Sequence, residues 1–191
     1  MKHYETELPA GYREAYVIDA ADKRIGLKLN LIGAGITVAL LAVFALILRP
    51  RDFFENYTIS RNLITLGLLF AYLVLHELTH GAAYKLLTRQ KLTFGFTATV
   101  AYCGVPEIYV YRKAAMIALL APFCVFNVVF GLAVILLPGA WDKMYAAALL
   151  AIHVGGCVGD LYDTWLYLTR FKQPDTLMRD TGPKQTFYLP E

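Results

Sequence analysis

The stretch LITLGLLFAYLVLHELTHGAAYKLL, residues 63–87, decides how this chain is read. It is apolar and long enough to cross a bilayer as one helix, yet it carries His76, Glu77 and His80 in an HExxH arrangement. Residues four apart share a helix face, so both imidazoles can bind one Zn²⁺ while the carboxylate between them reaches a metal-bound water. Ionisable groups at membrane depth are costly and normally face a functional cavity. The motif therefore reads as a reaction centre, with His76 and His80 as metal ligands and Glu77 as the catalytic base.

The rest of the chain agrees with a membrane setting. Of 191 residues, 58% are hydrophobic and 17% charged, with a mean hydropathy of +0.48, too apolar for an ordinary soluble domain. Runs at 29–48, 63–87, 114–137 and 144–168 each approach the span length of about 20 residues. The expected fold is an all-α polytopic membrane protein of about four transmembrane helices. One domain, 1–191, suffices: an N-terminal segment 1–28 without a cleavable leader, a membrane core 29–168 and a short polar tail 169–191. Cys103, Cys124 and Cys157 form no CxxC pair and imply no disulfide framework. The net charge of +3 is dispersed among short loops and gives nucleic-acid binding no support.

Lysine and arginine placement sets an orientation. Counting the N-terminal segment, the connection between spans two and three with Lys85, and the tail, 14 of them fall on one side and 4 on the other. The positive-inside rule then puts both termini in the cytoplasm. On that orientation His76 and His80 lie about 21 and 27 Å along span two, toward its inner end.

Catalytic zinc normally takes three protein ligands. The metzincin continuation is absent, because Ala83 and Leu86 stand where glycine and histidine are needed. Span four concentrates His153, Gly155, Gly156, Cys157, Gly159, Asp160 and Asp163 in an apolar helix. Asp160 lies about 24 Å along it, level with the two histidines, and is the leading third ligand. His153 stands about 10 Å away on the same face, so the two cannot both bind one ion. Asp163 reads as a carboxylate facing water near the interface, and Glu107 as a loop carboxylate; with His153 they are the alternatives. The glycines read as sites of close helix approach, bringing span four against span two. Pro122 reads as a packing kink in span three, and Asn127 as a hydrogen bond to another helix.

Between spans two and three, residues 92–102 alternate with a period of two, followed by turn chemistry at 103–106 and a β-prone return at 107–111. This predicts a β-hairpin directly after the motif helix. Such a hairpin, residues 92–111, offers an edge on which a peptide substrate can pair in extended form; the plainer reading is a plug for the loop.

An HExxH in a membrane helix, a following hairpin and an Asp in a later Gly-rich helix resemble the site-2 protease class of intramembrane zinc metalloproteases. Within that class, the His76–Gly81 run HELTHG and the segment 153–160 are most similar to the small bacterial zincin peptidases long catalogued as a domain of unknown function. The resemblance implies one zinc per chain held by His76, His80 and Asp160, hydrolysis of peptide bonds in a membrane-associated protein or peptide, and a multi-pass protein of the bacterial cell membrane. The chain departs from better-known members at Leu161, which follows Asp160 where they have glycine, and at His153, which stands near the position of their asparagine. It carries no PDZ-like insertion. The rival class is a non-catalytic metal-binding scaffold or small carrier, in which HELTH holds a structural ion.

Overall fold

The computed structural model describes residues 2–51, 58–97 and 101–191. Helix α1 (Lys23–Leu48) starts where Asp22 Oδ1 accepts the N–H groups of Arg24 and Ile25 at 2.9 and 3.1 Å, the usual work of an N-cap aspartate. It stops at Arg49, whose φ is 45°, just before Pro50. Helix α2 (Ile59–Thr88) carries the HELTH motif and ends where Lys85 Nζ donates to the carbonyls of Arg89 and Gln90 at 3.4 and 3.1 Å. Helix α3 (Arg112–Leu136) runs on through Pro122. These three helices are long and apolar enough to cross a membrane.

The single span expected over 144–168 is two helices, α4 (Ala140–Gly156) and α5 (Val158–Thr169), broken at Cys157. Gly155, Gly156 and Gly159 flank the break, and glycine is among the weakest helix formers. Counted as one broken span, the pair brings the candidate crossings to four.

The all-α expectation needs a larger correction. Strands β1 (Tyr4–Glu5), β2 (Tyr12–Asp19), β5 (Tyr109–Tyr111), β6 (Leu177–Asp180) and β7 (Lys184–Pro190) form an antiparallel sheet of order β1-β5-β6-β7-β2. The segments 1–28 and 169–191, read as polar flanks, supply four of its five strands. Exposed charges such as Arg13, Glu14, Arg179 and Lys184 dilute the apolar residues of these strands when averaged over a segment. The hairpin is corrected too. β3 (Thr93–Phe96) pairs with β4 (Ala101–Gly104), so the chain reverses inside the run read as one long strand. Ala98, Thr99 and Val100 of that run lie outside the described residues, and the expected return strand 107–111 is β5 of the larger sheet.

The chain divides into two compact units. The first comprises Met1–Leu29, His76–Pro122 and Gly159–Glu191. Its core is the inner face of the sheet: Val110 opposes Met178, Met178 opposes Phe187, and all three are fully buried. Phe187 stacks on Phe171 with ring centroids 4.8 Å apart, and Tyr84, Ala118 and Tyr167 complete the cluster. The second unit comprises Asn30–Leu75 and Phe123–Val158. Here α1 and α4 meet backbone to backbone: a Cβ on Gly33 would stand 2.4 Å from the Gly155 carbonyl oxygen, and Thr37 Oγ1 donates to Ala151 O at 3.2 Å. Gly155 thus admits span one at this position, whereas the sequence reading assigned it to span two. Outward residues such as Leu46, Phe70 and Ile135 are about 70% exposed, a coat suited to lipid rather than water.

Candidate metal centre

On α2, His76, His80, Tyr84 and Thr88 recur every four residues and form one buried face. Asp160 comes to meet the first two. The break at Cys157 restarts the helix, which places Asp160 in the first turn of α5, where free backbone N–H groups and the helix dipole favour a carboxylate. Its Oδ2 lies 3.4 Å from Nε2 of His76 and 3.4 Å from Nε2 of His80. The three ligand atoms fall within 4.8 Å of one another. The Asp160 side chain keeps 18% exposure against 10% and 9% for the histidines, so the cluster opens on the carboxylate side.

This set fits zinc. Two imidazole nitrogens and one carboxylate oxygen form a three-ligand set that leaves a fourth position free. Zinc–ligand bonds of about 2.0–2.1 Å place neighbouring tetrahedral ligands about 3.4 Å apart, the separation both His–Asp pairs show. The same distance is longer than that of a good charge-assisted hydrogen bond. His80 is also held from behind, with Nδ1 2.9 Å from the Ala118 carbonyl oxygen.

Glu77 is half-buried on the adjoining helix face, and its carboxylate accepts the backbone N–H of Cys103 on β4. β4 is seated by the β6–β7 turn. Val105 N–H donates to Asp180 O at 2.9 Å, and a Cβ on Gly104 would stand 2.4 Å from the Gly182 nitrogen. Gly182, at φ +101°, sits against the Tyr102 ring. Asp180 also accepts the Tyr84 hydroxyl on Oδ2 at 2.7 Å and the Gly182 N–H on Oδ1 at 2.9 Å. One tail residue therefore ties the motif helix to the strand beside Glu77. Burial pushes the Asp180 carboxyl up to about 6 against these hydrogen bonds, and burial, with the nearby Asp180 and Glu77 carboxylates, pushes the Cys103 thiol up to about 12, so it stays neutral. β3 packs on the helix at Gly81, where a Cβ would stand 2.8 Å from the Phe94 ring.

The alternative ligands each have surroundings of their own. Glu107 is exposed in the loop before β5. Asp163, expected in water, is buried, and its Oδ1 has no hydrogen-bond partner among the described residues; the same is true of the Tyr167 hydroxyl. His153 belongs to the second unit, fully buried, with the Tyr72 hydroxyl 2.9 Å from Nδ1 and Asn127 Nδ2 3.3 Å from Nε2. Asn127 thereby bonds to another helix, as the sequence reading had it. Asp180, Tyr84 and the Ala118 carbonyl had no part in that reading. Only the spacing of Tyr84, four after His80, hinted at a shared face.

An apolar helical protein with an HExxH face completed by a distant Asp defines a zincin-type site. The family model described as “putative zincin peptidase” matches residues 69–174, more than half of the chain, and the chain belongs to that family. Membership implies a zinc-dependent metallopeptidase. No curated protein and no solved structure matches the chain.

Proposed function

We propose that this chain is an intramembrane zinc metalloprotease of the site-2 protease type, with one zinc per chain on His76, His80 and Asp160. The observation that carries the reading is the convergence of both Nε2 atoms on Asp160 Oδ2 at 3.4 Å beside the Glu77 carboxylate. Zinc, when bound, supplies a Lewis acid that polarises the scissile carbonyl and acidifies the attacking water. Glu77 takes the proton of that water and delivers it to the amine nitrogen as the C–N bond breaks. The Cys103 N–H holds the Glu77 carboxylate in its working orientation. A substrate segment lies extended across the site by strand addition within the 92–111 region.

The sheet supports a four-crossing topology. It takes strands from before α1, between α2 and α3, and after α5, and strands of one sheet lie on one side of a membrane. Each intervening helical stretch then crosses twice, with α4 and α5 forming one broken span. The lysine and arginine balance assigns the sheet and both termini to the cytoplasmic side, with substrates drawn from membrane-associated proteins or peptides.

The test is Glu77→Gln in the detergent-solubilised full chain, assayed on fluorophore-quenched casein. Wild type cleaves the probe and carries about one zinc; the variant keeps the zinc and loses cleavage by about a hundredfold or more. Equal cleavage by both proteins refutes the assignment of the base.

A further inference from the structure

Pro122 sits inside α3, where the carbonyl four residues back normally receives an N–H. Proline has none, so the Ala118 carbonyl is left without that donor. Ala118 is fully buried, and a buried carbonyl without a partner is unfavourable. The donor it finds is His80 Nδ1 at 2.9 Å. Carbonyl oxygens only accept, so Nδ1 carries the proton, and in a neutral imidazole Nε2 is then left with its lone pair. Nε2 is the atom 3.4 Å from Asp160 Oδ2.

We propose that Pro122 is a positioning residue for the metal centre: by withholding an N–H from Ala118 it reserves that carbonyl for His80 and fixes the tautomer and ring angle that present Nε2 as a ligand. The proposal rests on the reading of His80 as a zinc ligand. It gives the proline a task beyond bending a helix. Any other residue at 122 would offer Ala118 an N–H in competition with His80. Because a carbonyl has two lone pairs, sharing weakens the His80 bond without abolishing it. The expected loss of zinc affinity is about tenfold, the lower end for an outer partner of a ligand histidine.

Zinc affinity of the full chain in detergent, read by competition with a chromogenic chelator, tests this in three proteins: wild type, Pro122→Ala, and a form with the α-hydroxy analogue of alanine at 122. The last has alanine's side chain but an ester oxygen in place of the N–H. Affinity about tenfold weaker in Pro122→Ala and restored in the ester form is the expected result. Equal affinity in all three overturns the proposal, as does an ester form as weak as Pro122→Ala, which would credit the ring rather than the missing N–H. Ring ¹⁵N shifts of the metal-free wild type, taken at a pH high enough that the ring is neutral and with His80→Gln for assignment, read the tautomer independently: a single proton on Nδ1 supports the proposal and a single proton on Nε2 overturns it. A wild type with protonated Nδ1 that takes up no zinc refutes the peptidase reading and, with it, the task given to Pro122.

Discussion

His153 and His80 are both buried histidines on apolar helices, yet their surroundings differ in kind. His153 is saturated: Tyr72 bonds one ring nitrogen, Asn127 the other, and the rings of Phe123, Phe126 and Phe130 stand around it at centroid distances of 5.7 to 6.0 Å. His80 is bonded from behind through Nδ1, and its Nε2 faces Asp160 across a gap suited to an ion. A satisfied histidine stabilises a membrane bundle, whereas one with a directed lone pair can take a ligand. Burial and membrane depth do not separate the two cases; the partner of each nitrogen does.

Asp160→Ala breaks the comparison most severely. On the proposed reading, removing the Asp160 carboxylate weakens zinc binding by more than about a hundredfold, beyond what loss of an outer hydrogen bond does, and cleavage goes with it; metal content after dialysis reads this directly. His153→Ala does the reverse. It leaves zinc stoichiometry unchanged and lowers stability by about 3–4 kcal/mol, from the cavity and the polar groups left behind, as measured by thermal unfolding in detergent. If His153→Ala sheds zinc, the distinction between the two histidines fails.

Two smaller effects sharpen the picture around Asp180. An unfolded aspartate ionises near 4, whereas Asp180 holds its proton up to about 6. As pH rises from about 4 to about 6, the unfolded chain releases this proton first, so stability falls across that window and is level above it. The loss is on the order of 3 kcal/mol at most. In metal-free protein, which leaves zinc release out of the comparison, Asp180→Asn removes that slope. Tyr84→Phe deletes one buried hydrogen bond at about 1–2 kcal/mol. Hydrogen exchange at the Cys103 and Val105 amides rises in the variant, while the β2–β7 pairing stays protected.

The motif helix and the apolar runs were legible because each is a local pattern with one physical meaning, and depth along span four put Asp160 level with His76 and His80, beside which it lies. The β3–β4 hairpin was half legible: the period of two was correct, but an unbroken alternation does not reveal where a strand turns back. The large sheet was obscured because its strands lie far apart in sequence. β2 carries Arg13, Glu14 and Asp19 beside Tyr16, Val17 and Ile18, and such a mixture reads as a polar flank until its partner β7 is known. Asp163 was misplaced for a related reason, since depth along a helix says nothing of what covers a residue from the tail. Asp180 lies in that tail, with no motif around it.

The order of the strands has a consequence in time. β1 and β2 leave the ribosome well before β6 and β7, which follow α5 and join them into one sheet. Until then Tyr84 lacks Asp180, Val105 lacks its acceptor, and the strand beside Glu77 has nothing to seat it. The proposed site is therefore completed only after β6 and β7 have been made, and the strand beside Glu77 is the last part of it to be seated.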